Sequence, residues 1–320
     1  MKKLFRVILS LICLAIVFSA PFLIKNEKST ESQKSVILTI WHVDSFEGGK
    51  GSRYTFLRNV STLFSKQNEN VYLLVTSFST KGVETALAQG KTPDLISFGG
   101  VGLELENRAK EIYESVKDGG DINGKRYAVS YLKGGYFKIQ KGNGENIILS
   151  KGENTSPEIA YLFSGINSKN VAVLPTGEAY SRFLREKNAT LIGTQRDVYR
   201  LTNQEAEFTA TPIEDFNDLY QYIALTSKED KNEFYARRFI KFLLSDEVQK
   251  KVSSLGMLSV NLKGNGYDNE YLSALEKVDV NFTVSPFSSR ENFNLACENS
   301  IKAIENGGGR EEVSNFLKEL

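Results

Sequence analysis

The stretch from Trp41 to Arg53 holds most of the side chains that could bind a polar ligand or do chemistry. It contains the only tryptophan and the only histidine of the 320 residues, and it also carries two carboxylates. An indole can stack on the apolar face of a sugar ring, and carboxylates can accept hydrogen bonds from sugar hydroxyls. The stretch predicts a ligand-contacting loop in which Trp41, His42, Asp44 and Glu47 are the candidate contacts.

Each of these side chains also has a structural interpretation. Trp41 could instead fill a core, and a single histidine is more often a hydrogen-bonded structural residue than a ligand or a base. Trp41 and His42 are consecutive, so on a strand they point to opposite faces. A glycoside hydrolase needs a spatial pair of carboxylates, and no partner for Asp44 or Glu47 is identified in the sequence. Binding is therefore favoured over catalysis.

The end of the stretch could hold an anion on backbone N–H groups at the start of a helix. It is not a phosphate-binding P-loop, because Lys50 is followed by Gly51 and not by Ser or Thr. A flexible turn closed by a capping Ser52 is the alternative. The candidate contacts in this part are Gly48, Gly49 and Arg53.

Metal and cofactor sites are not expected. Asp118, Asp121 and Asn123 lack the spacing and the terminal Glu of a calcium-binding EF-hand loop. Beyond residue 35 the only cysteine is Cys297, which excludes an intrachain disulfide and a cysteine-based metal site. Lys and Arg number 40 against 39 Asp and Glu, so nothing indicates a surface for nucleic acid.

Residues 1–35 are predicted to be a signal or membrane anchor followed by a tether. Basic residues precede an apolar run from Val7 to Ile24, the pattern of an export signal with its positive end inside. The run could span a bilayer, and the candidate cleavage site at Ser19–Ala20 is followed by Pro21, which favours an uncleaved anchor. The rest of the chain is expected on the outer face of the cell membrane, or secreted if the signal is cleaved.

Alternating strands and helices must position the candidate residues. The apolar runs and helical periodicities predict strands at 36–40, 71–75 and 94–98 with helices over 54–66 and 82–89 between them. This βαβαβ order predicts a parallel sheet with right-handed crossovers. Ligands bind beyond the carboxyl ends of such strands, where the stretch that begins at Trp41 lies.

The remaining elements predict a second α/β lobe and a return to the first. A helical stretch over 103–116 precedes a polar turn. The further predicted elements are strands at 126–131, 171–174, 189–192 and 220–226, a helix near 178–186, a helix that starts at Ser156–Pro157, a long helix around Phe239, a helix over 246–255 that Ser245 caps and Gly256 ends, and two C-terminal helices.

Further candidate contacts follow strands in both groups. Glycine at a strand end lets a ligand approach the backbone closely, and polar or aromatic residues after strands can supply hydrogen bonds and stacking. Arg196 and Asp197 could equally pair with each other on the surface. The candidates here are Gly99, Gly100, Tyr131, Tyr136, Thr194, Gln195 and Arg196.

Four segments, in order, resemble the extracellular solute-binding proteins of bacterial ABC importers, in particular the family 1, sugar-binding-like group. They cover most of residues 36–320. They are Trp41 to Gly49 between a strand and a helix, Gly90 to Phe98, Asn123 to Tyr136, and the helix pair from Ala236 to Lys251 that continues to Leu258. The chain departs from the group at 137–157, where a long helical insertion is replaced by a short, Gly-rich, polar segment.

The resemblance implies a periplasmic-binding-protein-like (type II) fold, in which two α/β lobes joined by hinge strands close over a ligand. Residues 36–125 and 218–262 would form lobe one and residues 126–217 would form lobe two. Residues 263–320 would be a C-terminal helical segment that packs mostly on lobe two.

The function that the resemblance implies is the substrate-binding component of an ABC importer. The chain would act as a monomer, capture a small solute, with a carbohydrate as the first expectation, and deliver it to the transmembrane permease. The alternatives are an extracytoplasmic sensor or scaffold that acts on a membrane signalling partner and an envelope hydrolase, which would need measurable turnover.

Overall fold

A computed structural model describes residues 35–43, 50–100, 103, 105, 107–114, 119–261, 267 and 269–317. The predicted anchor and four of the candidate contacts, Asp44, Glu47, Gly48 and Gly49, lie outside these residues. None of the helices within them is long and apolar enough to cross a membrane. Contacts group Ile37–Leu320 into one compact unit.

The first of the two large sheets has six strands in the order β2-β1-β3-β12-β5-β4. Strand β1 pairs in parallel with β3, whereas β12 is antiparallel to both β3 and β5. The elements are β1 (Val36–Val43), α1 (Arg53–Gln67), β2 (Val71–Phe78), α2 (Thr80–Ala88), β3 (Leu95–Gly99), β4 (Gly119–Ile122), β5 (Lys125–Lys133) and β12 (Tyr220–Leu225).

The second large sheet has five strands in the order β10-β6-β9-β7-β8. Strand β7 is parallel to both β8 and β9, and β6 is antiparallel to β9 and β10. The elements are β6 (Tyr136–Lys141), β7 (Asn146–Lys151), α3 (Pro157–Phe163), β8 (Val171–Pro175), α4 (Thr176–Arg185), β9 (Ala189–Thr194), α5 (Gln195–Asn203) and β10 (Thr209–Pro212).

The remaining elements complete both halves. Strands β11 and β13 form a small parallel pair, and α9 packs on α3 beside the second sheet. They are β11 (Asp215–Phe216), α6 (Asp230–Leu243), α7 (Asp246–Gln249), a 3-10 turn (Val252–Leu255), α8 (Glu270–Glu276), β13 (Val280–Phe282), α9 (Arg290–Asn306) and α10 (Arg310–Leu317).

Local sequence explains where these elements begin and end. Every residue of β3 and β9 is buried, as expected for central strands covered on both faces. Ser52 caps α1 as predicted, since its Oγ accepts a hydrogen bond from the Thr55 N–H at 3.1 Å. Gly307 ends α9 in the left-handed conformation, with a φ of 74°.

Two helix predictions are wrong in part. The predicted helix over 103–116 is absent from the described residues 107–114, in which a turn at 107–108 leads into a segment without helix beside the first sheet. Their backbone groups bind strands, because Lys110 N donates to Leu225 O at 2.7 Å and Ile112 N donates to Arg126 O at 2.8 Å. The predicted helix over 246–255 is divided into α7 and a 3-10 turn, and Ser245 makes no side-chain capping bond.

The chain passes between the two sheets through adjacent, hydrogen-bonded crossings. One crossing is Gly134–Gly135, between β5 and β6, and Gly134 N donates to Leu219 O of a second crossing at 2.7 Å. Leu258 and Lys133 exchange backbone hydrogen bonds of 2.8 and 3.1 Å at a third. Strand β5, which starts near the predicted boundary at residue 126, pairs within the first sheet. The predicted lobe limits themselves stay a prediction.

The contact between Gly256 and the Tyr199 ring can be tested by substitution. It has a φ of +67°, and a Cβ there would lie 2.6 Å from the Tyr199 ring on α5, whereas Gly124 has a φ of +76° with no atom within 4 Å of such a Cβ. Gly124→Ala should cost about 1–2 kcal/mol from left-handed backbone alone. Gly256→Ala should cost clearly more in urea unfolding. Equal costs for the two variants would show that Tyr199 does not pack on this turn.

Candidate functional site

Gly100 and Asn154 lie just beyond the carboxyl ends of β3 and β7, one strand from each large sheet, and they contact each other. Gly100 follows β3 and has a φ of +69°, and a Cβ at this position would lie 2.6 Å from the Asn154 Cβ. Asn154 follows β7, which is parallel to its neighbours β8 and β9. The edges at which α/β sheets bind ligands therefore lie against one another at this contact. Gly100 is one of the predicted contacts, and Asn154 is not.

Asn154 has an unusual environment for a polar side chain. It is only 1% exposed, and its buried Nδ2 has no hydrogen-bond partner among the described residues. Its Oδ1 accepts a hydrogen bond from Arg290 Nη1 at 3.3 Å. An unsatisfied buried donor costs about 1–3 kcal/mol. The Nδ2 therefore keeps its capacity to donate a further hydrogen bond.

Arg290 connects the halves of the molecule at this point. It is the first residue of α9, which packs on α3 beside the second sheet. In addition to binding Asn154, its Nη2 lies 3.9 Å from Glu84 Oε1 on α2, beside the first sheet. Both side chains of this ion pair are more than one-third exposed, so its electrostatic contribution is modest.

A second contact between the halves joins Lys50, before α1, to Tyr199 on α5. The Lys50 Nζ lies 5.5 Å from the centre of the Tyr199 ring, and the Lys50 N–H donates to Leu255 O at 2.7 Å. Burial, followed by the charge of Tyr267, raises the pKa of Tyr199 to about 12. Tyr199 therefore stays neutral and offers an aromatic face next to the exposed Lys50.

The structure separates the two candidates at the end of β1. His42 is fully buried, with its Nδ1 3.0 Å from Ser97 Oγ. Ser97 Oγ lies 2.8 Å from Tyr131 OH and accepts a hydrogen bond from Gln221 Nε2 at 3.0 Å. His42 and Tyr131 thus belong to a polar network inside the first sheet. Trp41 is half-buried, and its ring lies 4.9 Å from that of Phe78.

The candidate contacts near β9 are mostly engaged in hydrogen bonds with backbone groups. Thr194 caps α5, and Asp197 completes the capping box by accepting from the Thr194 N–H at 3.0 Å. Gln195 is buried, and its Oε1 accepts from the Gly135 N–H at 3.0 Å, which ties it to a crossing. Arg196 is half-exposed in the first turn of α5.

Three candidates lie elsewhere at this edge. Arg53 is buried at the first residue of α1. Gly99 is the last residue of β3, and Tyr136 is the first residue of β6 and is buried in a second polar network.

This second network, the hinge network, consists of Tyr136, Ser156 and Asp218. Asp218 accepts hydrogen bonds from Tyr136 OH at 2.8 Å and from Ser156 Oγ at 2.5 Å. Burial raises the pKa of Asp218 to about 6, although both hydrogen bonds act in the opposite direction. Burial and the charge of Asp218 also hold the pKa of Tyr136 well above its usual value. The network joins the crossing that precedes β6, next to Tyr136, to the crossing that precedes β12, next to Asp218.

A buried cluster of Lys151, Glu158 and Cys297 lies behind the cleft. Lys151 Nζ lies 2.9 Å from Glu158 Oε1 and 3.2 Å from Cys297 Sγ. Burial, followed by the charge of Glu158, raises the pKa of Cys297 to about 12. The cluster fastens α9 to β7 and α3. Within the described part of the chain, no group of three or more His, Cys, Asp or Glu could hold a metal ion.

Sequence inspection missed Asn154, Asp218 and Arg290. The available signal was the polar run at residues 152–156, because polar residues after a strand often face a ligand. The strand before it, β7, was not recognised, so the run could not be placed at a sheet edge.

Comparison with solved structures finds the same architecture in binding proteins of low sequence identity. The sugar-binding protein MalE from Xanthomonas citri superposes with a TM-score of 0.63 at 11% identity, over 89% of this chain and 96% of that one. The cyclic α-maltosyl-1,6-maltose binding protein from Arthrobacter globiformis gives a TM-score of 0.59 at 10% identity, over 89% and 97%.

A third neighbour is the galacto-N-biose/lacto-N-biose I-binding protein of the Bifidobacterium longum ABC transporter, with a TM-score of 0.57 at 11% identity over 89% of this chain and 96% of that one. The chain has the fold of ABC-transporter sugar-binding proteins. This agrees with the predicted α/β, periplasmic-binding-protein-like (type II) fold. No protein-family model and no curated protein matches the sequence.

The hinge network predicts a pH dependence of stability. Because the folded-state pKa of Asp218, about 6, exceeds its ordinary value of 3.8, ionisation costs the folded state free energy. That cost is fully present above pH 6 and is lost as the pH falls toward 4. Relative to Asp218→Asn, the wild type should gain about 2 kcal/mol in free energy of unfolding between pH 7.5 and pH 4.5.

Urea titrations at a series of pH values measure this difference. Tyr136→Phe removes one hydrogen bond to the Asp218 carboxylate and should move the inflection to higher pH. Parallel stability curves for wild type and Asp218→Asn across this pH range would contradict the assignment.

Proposed function

We propose that this chain is the substrate-binding component of an ABC importer and captures a small carbohydrate in the cleft between its two sheets. The observation that carries the proposal is the meeting of two carboxyl sheet edges at Gly100 and Asn154, with a buried amide donor left unsatisfied there. Ligands of open α/β sheets bind at such edges. The sugar-binding neighbours support a carbohydrate as the ligand.

Direct contacts are assigned to the side chains with atoms at the cleft. Trp41 would stack on a sugar ring, and Asn154 and Arg196 would donate hydrogen bonds to its oxygens. Asp44 and Glu47, which follow β1 in the sequence, would accept hydrogen bonds from hydroxyls. The buried candidates, among them His42 and Gln195, would act by holding the cleft walls in place.

Capture would proceed by rotation of the halves about the crossings. Few backbone hydrogen bonds join the halves there, and hinge motions concentrate at such element ends. The proposal also includes a tether formed by residues 1–35 at the outer face of the cell membrane, a monomeric state and delivery of the solute to a permease. No covalent step is required of the chain.

A thermal-shift screen of the full chain in mild detergent tests the ligand class. A ligand that binds only the folded state stabilises it by RT ln(1 + [L]/Kd), about 2.7 kcal/mol at one hundred times Kd. We expect oligosaccharides to raise the melting temperature. A higher melting temperature with amino acids or peptides but not with sugars would overturn the carbohydrate assignment. An unchanged melting temperature with every solute would overturn the proposal that the chain captures a solute.

Asn154→Ala tests the cleft itself. Loss of the amide should weaken oligosaccharide binding about tenfold in calorimetric titrations, the usual effect of removing one buried hydrogen bond to a ligand. The melting temperature of the free protein should fall only modestly, because the lost Nδ2 donor is unsatisfied and the one hydrogen bond removed, from Arg290 Nη1 to Oδ1, is long at 3.3 Å. Asn203→Ala, at an exposed position in α5, is the matched control. Unchanged affinity in Asn154→Ala would place the ligand elsewhere.

A further inference from the structure

A groove with a volume of about 990 Å³ lies beside the first sheet, and neither Gly100 nor Asn154 lines it. We call it the basic groove. Its walls come from the segment before β4, the β4 end, the chain after β12 and the start of α9. The lining residues used below are Asn107, Arg108, Lys110, Asp121, Lys228 and Asn292.

Two of the charged residues in the basic groove are already neutralised. Lys110 forms an ion pair with Glu233. The Asp121 carboxylate accepts hydrogen bonds from Arg126 Nε at 2.9 Å and from Arg126 Nη2 at 3.0 Å. The pKa of Glu233 is lowered, first by its hydrogen bond from Lys110, as expected for a carboxylate held ionised by its partner. Glu233 also pairs with Arg237, whose Nη2 lies 2.8 Å from Oε1. Lys110 and Asp121 therefore each have a partner of opposite charge.

Two other cations in the basic groove are not neutralised. Arg108 donates through Nη2 to a carbonyl oxygen, that of Leu87, at 3.1 Å, and it makes no ion pair with any carboxylate of the described residues. Lys228 is exposed and has no partner among them. Among the lining residues that the structure describes, these two positive charges are not balanced by the one carboxylate, Asp121.

The groove also offers neutral hydrogen-bonding groups. The exposed side-chain amides of Asn107 and Asn292 make no hydrogen bond within the part of the chain that the structure describes. By contrast, Thr226 and Ser227 are fixed, because their hydroxyls donate to Pro93 O at 2.8 Å and to Asp94 Oδ1 at 2.7 Å. The amides are therefore available for a ligand, and the fixed hydroxyls hold the wall.

We infer that the basic groove is a second solute site, separate from the cleft, for a sugar that carries an oxyanion. A carboxylate or phosphate group would bind Arg108 and Lys228, since guanidinium and ammonium groups favour such partners. The sugar hydroxyls would bind the amides of Asn107 and Asn292, which can both donate and accept. A uronate and a sugar phosphate share this chemistry.

Isothermal titration of the full chain in mild detergent with galacturonate, glucose 6-phosphate, galactose and inorganic phosphate tests the inference. One or both acidic sugars should bind at low salt and bind more weakly in 0.3 M salt, because exposed charges are screened. Galactose and phosphate should each bind at least tenfold more weakly than the acidic sugar. Binding of galactose as tight as that of the acidic sugars, or of phosphate as tight as that of glucose 6-phosphate, would overturn it.

Two variants localise the site. Lys228→Gln and Arg108→Gln should each weaken acidic-sugar binding about tenfold, whereas Lys66→Gln, at an exposed lysine of α1, should not. The exposed Lys228 side chain makes no hydrogen bond or ion pair with the described residues, so its variant stays informative if Arg108→Gln unfolds. Unchanged affinity in Lys228→Gln would overturn the inference.

Asn154→Ala separates this site from the cleft. It should leave acidic-sugar binding intact while weakening oligosaccharide binding, so the two proposals can fail independently. A loss of acidic-sugar binding in Asn154→Ala would show that the anion enters the cleft and would remove the second site.

Discussion

The carboxyl ends of β3 and β7 can approach each other because residue 100 has no Cβ. Any other residue at this position would collide with Asn154 and would also be strained by the positive φ. The close approach buries Asn154 and brings it within reach of Arg290, which is itself tied to Glu84 on the opposite half. The cleft, its unsatisfied amide and the link to α9 all depend on this one contact.

Two buried polar networks stabilise the first sheet and the crossings between the sheets. In the first sheet, Ser97 joins His42 to Tyr131, and at the crossings Asp218 joins Tyr136 to Ser156. Hydrogen-bonded groups in a low dielectric hold each other in fixed geometry. Several aromatic and polar residues at strand ends, among them His42, Tyr131 and Tyr136, therefore act as structural supports.

The part of the fold that could be predicted from sequence is the part with strong local signals. The run 36–40 and the helix capped by Ser52 combine apolar periodicity with a capping residue, and both are confirmed. The segment 137–157 mixes lysines and glycines with short apolar runs, so β6 and β7 gave no clear pattern. The segment 103–116 has helical composition, but backbone pairing with β12 and β5 overrides it.

The site was less predictable than the fold, because its key contacts join distant residues. Gly100 could be proposed from its place after a strand, yet its partner Asn154 is set by how the second sheet faces the first. Likewise, nothing near Asp218 in the sequence indicates that Tyr136 and Ser156 would enclose it. Such pairs depend on tertiary packing, which a single sequence does not display.

The buried cluster behind the cleft has a consequence for the chemical durability of the chain. Thiols react as thiolates, and a pKa of about 12 leaves almost no thiolate on Cys297 at neutral pH. Compartments outside the cytosol oxidise accessible cysteines and join chains through them. Cys297 is buried where α9 packs beside Lys151. The folded domain can therefore persist in an oxidising medium without forming covalent dimers through that residue.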